Sequence, residues 1–97
     1  MELSFSDDIR EQVLMLFTQI NEAIDKLIDW NSDIESEDDY YNSNSGTQKL
    51  AASCMMIEAI GETINRIDKI TEKQLLQKRP EIPWGAIIGI RNHIAHG

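Results

Sequence analysis

Four residues close to the end of the chain, Arg91, Asn92, His93 and His96, set its only two imidazoles beside a guanidinium and an amide, in a stretch with almost no other polar group. A histidine ionises near neutral pH and can take or give a proton. An arginine can stabilise negative charge that develops in a transition state. These types together suit metal-independent cleavage of RNA: a base takes the proton of the ribose 2′-hydroxyl, an acid protonates the leaving 5′-oxygen, and a cation stabilises the phosphorane. The same residues have plainer uses, since arginine can cap the last carbonyls of a helix and histidine can pack at an interface. A metal site on His93 and His96, at i and i+3, lacks an evident third ligand, so no metal is expected. On a helix, Asn92 and His96 fall about 40° apart, whereas Arg91 and His96 fall about 140° apart. The pair therefore needs the reach of the arginine or a second copy of the helix.

The rest of the chain must hold these residues. Its 97 residues predict one domain, and a chain this short has little interior of its own. Apolar residues make up 41%, which excludes a disordered polymer, and no run approaches the roughly 18 apolar residues of a membrane span. The N-terminus, Met1 to Asp8, has neither a basic region nor an apolar one, so a cytoplasmic protein is expected. The one cysteine, Cys54, lies in an apolar helical run and reads as a structural thiol. A net charge of −8 argues against nucleic acid until it is divided along the chain. Residues 1–45 hold twelve acids against Arg10 and Lys26, a balance of −10; residues 46–97 hold five acids against seven bases, a balance of +2. Arg66, Lys69, Lys73, Lys78, Arg79 and Arg91 are therefore candidates for a local basic surface, and Lys69, Lys73, Lys78 and Arg79 are the expected RNA contacts.

Ser6 before Asp7 and Asp8 predicts an N-cap with acids in the first turn. Ile9, Val13, Leu16, Phe17, Ile20, Ile24, Leu27 and Ile28 then recur at steps of three and four, which predicts a helix over residues 7–31 whose stripe forms bundle core. Asn31 to Asp39 reads as a solvated acidic loop, with docking of a basic partner as the other reading. Leu50, Cys54, Ile57, Ile60, Ile64 and Ile67 predict a second helix over residues 46–70, with Gly61 a packing contact and Glu62 either solvated or orienting a partner near the site. Thr71 and Gln74 predict a capping box that opens a short third helix through Leu75, Leu76 and Arg79, stopped by Pro80. Pro83 suits the first turn of a fourth helix in which Trp84, Ile87, Ile88, Ile90 and Ile94 are apolar on most sides, so that it should be buried. Gly85 and Gly89 leave a flat strip along it for a neighbouring helix. Since Trp84, Ile87, Ile90 and Ile94 cannot all face one internal core, a homodimer is expected. The sequence contains no internal repeat, glycine-rich phosphate loop, paired-cysteine metal spacing or nucleotide fingerprint, and no cofactor is expected.

Arg91, Asn92 and His96 spell R-N-x-x-x-H. With Ile60-Gly61-Glu62 in the second helix, Ile82-Pro83-Trp84 opening the fourth, and the long first helix with its acidic loop, this resembles the HepT-like toxins of the HEPN superfamily. Those are small all-helical ribonucleases paired with a minimal nucleotidyltransferase antitoxin. The resemblance implies an all-α, antiparallel helical bundle over residues 1–97, dimeric, with four helices visible and a last helix missing. It implies Arg91 and His96 as the catalytic pair in a dimer-interface cleft, Asn92 as a supporting residue, and products ending in 2′,3′-cyclic phosphate. It also implies RNA as substrate and the antitoxin as partner, with neither DNA nor membrane. Family sequences continue past the histidine as H-x-Y, the tyrosine being nucleotidylated by the antitoxin, and then enter a last helix. Ending at Gly97, the sequence stops one residue before that tyrosine, and a truncated chain is expected. The alternative function is a non-enzymatic helical binding subunit that complexes, or presents substrate to, a nucleotidyltransferase. An acidic adaptor bundle with no RNA role is a third reading.

Overall fold

Apolar residues spaced three and four apart build two long helices here, and the chain folds them against each other. A computed structural model describes the backbone of residues 5–96 and the side chains of residues 5–90. Helix α1 spans Asp7–Trp30, and the Ser6 hydroxyl caps it by accepting from the Ile9 amide at 3.2 Å. A short helix α2, Asp38–Tyr41, leads into α3, Asn44–Ile70. A single 3-10 turn, Leu76–Lys78, then precedes α4, Trp84–His96. The all-α, antiparallel bundle is the fold expected, and its organisation is simple: α1, α2 and α4 each pack on α3. No helix of the described residues is long and apolar enough to cross a membrane.

The closed core sits at one end. Val13, Leu16 and Ile20 of α1 meet Ile64 and Ile67 of α3 and Leu76 of the 3-10 turn. Ile9, Phe17, Ile60, Ile70, Leu75, Trp84, Ile87 and Ile88 surround them. Gly61 is buried on the same helix, in keeping with a packing role. The α1 stripe is less uniformly internal than its periodicity suggested, because Ile24 and Ile28 stay exposed beyond the end of this core.

Polar contacts hold the other end. Asn31 is the hub: its amide nitrogen donates to the Leu27 carbonyl at 2.8 Å and to the Ser53 hydroxyl at 2.9 Å, and its amide oxygen accepts from the Tyr40 hydroxyl at 2.7 Å. One side chain thus ties the end of α1 to α2 and to α3. Lys49 donates to both carboxylate oxygens of Asp33 at 2.7 Å and so holds the Asp33 carboxyl below its ordinary pKa, chiefly through the hydrogen bond. The pair is exposed and contributes little to stability.

Three local expectations are corrected. The acidic connector holds α2, because Asp38 and Asp39 occupy its first turn, where the helix dipole favours them, and Asp39 accepts from the Glu35 and Ser36 amides. Helix α3 begins at Asn44 rather than 46, capped by the Ser43 hydroxyl, which accepts from the Gly46 amide at 2.9 Å. The capping box at Thr71 does not form. Thr71 instead closes α3, its fully buried hydroxyl donating to the Ile67 carbonyl at 2.7 Å. Glu72 and Lys73 follow at φ 55° and 62°, their amides returning to the Lys69 and Asp68 carbonyls. That is the paired-bond ending that most often uses glycine after the cap. The third helix shrinks to the one 3-10 turn.

Two substitutions probe this frame with opposite signs. A Cβ added at Gly46 would lie 2.1 Å from the Asp39 carbonyl oxygen, so backbone must move, and Gly46→Ala should cost about 1–3 kcal/mol. Glu72→Gly should stabilise by about 0.5–1 kcal/mol, because glycine removes the left-handed penalty at the end of α3. Urea unfolding monitored by circular dichroism reads both; a stabilising Gly46→Ala or a destabilising Glu72→Gly would contradict the local geometry.

Candidate functional site

Helix α4 carries the candidate residues, and its start is fixed by the turn before it. Pro83 lies one residue before the helix rather than inside its first turn, and its carbonyl accepts from the Ile87 amide at 3.0 Å. The Trp84 amide donates to the Ile82 carbonyl at 2.8 Å, and the Trp84 indole donates to the Arg79 carbonyl at 3.1 Å. Trp84, Ile87 and Ile88 then turn inward against the core. The helix is not buried all round, as its composition suggested: Ile90 is 39% exposed, and nothing lies within 4 Å of a Cβ built at Gly85 or Gly89.

Arg91, Asn92, His93 and His96 occupy the last two turns of α4, and their side chains lie outside the described residues, as does that of Ile94. Helical register still sorts them. Asn92 and His96 stand seven and eleven residues after Gly85, which puts them on the line of the two open glycines. Arg91 stands seven and four residues after Trp84 and Ile87, on the line that faces the core. The helix therefore brings Asn92 and His96 onto one face and sets Arg91 on another.

The basic residues stand elsewhere, with exposed Glu72 and Glu81 among them in sequence. Lys69 is in the last turn of α3, Lys73 in the left-handed pair, and Lys78 and Arg79 at the 3-10 turn, all exposed. Arg79 pairs with Glu81 through an exposed contact that is weak enough to exchange for a phosphate. These bases flank the start of α4, whereas Arg91 to His96 end it. Twelve residues of helix rise separate Trp84 from His96, about 18 Å. The two sets expected to act on one RNA thus stand at opposite ends of α4. Glu62 is exposed on α3.

A family model described as Ribonuclease HepT-like matches residues 10–97. The chain belongs to the HepT-like ribonuclease family. The match includes α3, the turn and the whole of α4, and this membership supports a ribonuclease function in general terms. No curated protein and no solved structure matches the chain.

The sequence reading missed two positioning residues. Thr71 ends α3, and the Trp84 indole ties the first turn of α4 to the preceding loop. The Ile82-Pro83-Trp84 run was a signal for the second; nothing local distinguished the first from a capping box. Trp84→Phe keeps an aromatic ring in place but removes the donor and should cost no more than about 1 kcal/mol, whereas Trp84→Ala should cost about 3. Thermal unfolding compares them, and equal losses would move the weight from packing to the hydrogen bond.

Proposed function

We propose that this HepT-like protein is a metal-independent endoribonuclease, the toxin of a prokaryotic toxin–antitoxin pair acting in the cytoplasm. The observation that carries the reading is the family match over residues 10–97, which contains the R-N-x-x-x-H run. In this reading His96 moves the proton, as base toward the ribose 2′-hydroxyl or as acid toward the leaving 5′-oxygen. Arg91 stabilises the phosphorane, and Asn92 supports His96 from the same face. Cleavage leaves a 2′,3′-cyclic phosphate.

Register separates Arg91 from His96 on one helix, and a homodimer built on α4 supplies what one copy lacks. The open glycines give a second α4 room to lie close, on the line that continues into Asn92 and His96. Arg91 of either copy then serves a shared cleft. Lys69, Lys73, Lys78 and Arg79 hold the RNA strand farther along α4, as phosphate contacts that carry no sequence information. The antitoxin is a minimal nucleotidyltransferase.

Purified protein should cleave RNA in EDTA and yield 2′,3′-cyclic ends. His96→Ala should lower the rate about 100- to 10,000-fold. Arg91→Ala should lose about 3 kcal/mol of transition-state stabilisation, and His93→Ala should change little. Circular dichroism establishes that each variant is folded. If Arg91→Ala and His96→Ala fold and cleave like the parent, the ribonuclease assignment fails and the binding-subunit reading replaces it. Charge reversal at Lys69, Lys73 and Lys78 should weaken RNA binding and flatten its salt dependence; unchanged binding would remove these residues from the interface.

A further inference from the structure

Three of the seven large apolar side chains that the described structure leaves exposed line up along α1. Leu14 is 67% exposed, Ile24 40% and Ile28 67%, with Phe17 half-buried among them. At 100° per residue these four fall within an arc of about 80° on α1, immediately beside the buried line of Val13, Leu16 and Ile20, with exposed Asn21 midway along the same arc. The row runs about 21 Å along the helix. One exposed leucine needs no explanation, but a row continuous with the core does. On its solvent side, within the next 80° or so of turn, lie Asp7, Glu11, Glu22, Asp25 and Asp29, all exposed. Arg10 is at one end of the row, and Lys26 lies on the far side of the acids.

We propose that this row is a docking face for a protein partner whose contacting segment is a basic amphipathic helix. The partner's apolar side chains cover Leu14, Phe17, Ile24 and Ile28, and its lysines and arginines meet the carboxylates. Charge selects this occupant. A second copy docked through the same face would set acids against acids, since residues 1–45 carry twelve acids and two bases. An anionic lipid surface is repelled for the same reason. The inference is independent of the ribonuclease reading, because it uses α1 alone.

Full-length protein is titrated into a labelled amphipathic peptide of about 18 leucine and lysine residues, long enough as a helix to span the row, with a leucine–glutamate peptide as counterpart. Fluorescence anisotropy should show binding of the lysine peptide, weaker in high salt, and none of the glutamate peptide. Leu14→Ser combined with Ile28→Ser should weaken binding about tenfold or more. Met55→Ser, at a residue 71% exposed on α3, should leave it unchanged. Leu14 and Ile28 are largely in solvent already, so the double variant should melt close to the parent temperature. The proposal is overturned if the lysine peptide does not bind, if it binds the double variant equally well, or if the glutamate peptide binds too. It is also overturned if sedimentation finds a dimer that Leu14→Ser and Ile28→Ser dissociate, which would make the occupant a second copy. A dimer that survives those changes leaves the face open and agrees with association through α4.

Discussion

Thr71 caps α3 with its hydroxyl donating to the Ile67 carbonyl inside the protein, and the placement of α4 depends on the left-handed reversal that follows it. Both residues are fully buried, so the threonine must find its partner locally or remain unsatisfied. Closing α3 there puts the left-handed pair Glu72–Lys73 next and returns the chain along the bundle. One further turn of α3 would carry the reversal about 5.4 Å onward and pull Trp84, Ile87 and Ile88 away from Ile64 and Ile67. The registers of Arg91, Asn92 and His96 follow from where α4 starts, and so from a backbone reversal remote from them in sequence.

Division of labour between the two ends of the α1–α3 hairpin is the second organising fact. Packing holds the end that seats α4, where Leu16, Ile67 and Leu76 are almost completely out of water. Hydrogen bonds converging on Asn31 hold the other, with a backbone approach over Gly46 too close for any side chain. The acids of the connector stand at the Asn31 end, whereas Asp7, Asp8 and Glu11 begin α1 at the end that seats α4.

Much of this was legible in the sequence, for identifiable reasons. The 3.6-residue period of α1 and α3 gave both helices to within two residues at either end, and Ser6 as a cap was read from its hydroxyl and the two acids behind it. Arg91 and His96 were named through the resemblance of R-N-x-x-x-H to the family's pattern, since residue type and spacing alone also fit structural roles. What escaped depended on partners distant in sequence. Asn31 looked like a turn former because Ser53 lies 22 residues away. The Thr71–Gln74 spacing fits an N-cap as well as it fits a helix end, and Glu72 hid the left-handed turn that a glycine would have announced. Ile24 and Ile28 share the period of the core residues, but periodicity does not say how far the facing surface extends. Nor could composition say that Lys69, Lys73, Lys78 and Arg79 lie toward the start of α4 and the histidines at its end.

The junction at Asn31 has a consequence for motion. Each of its bonds is part-buried and can be replaced by a bond to water, and the apolar core contributes nothing there. Residues 31–43 can therefore separate from α3 at a free-energy cost well below that of global unfolding. Their amide protons should exchange with solvent by such local opening, while those around Ile64 and Ile67 wait for the whole bundle to come apart. The acidic end of the molecule can thus breathe on its own, with Trp84, Ile87 and Ile88 still seated at the other.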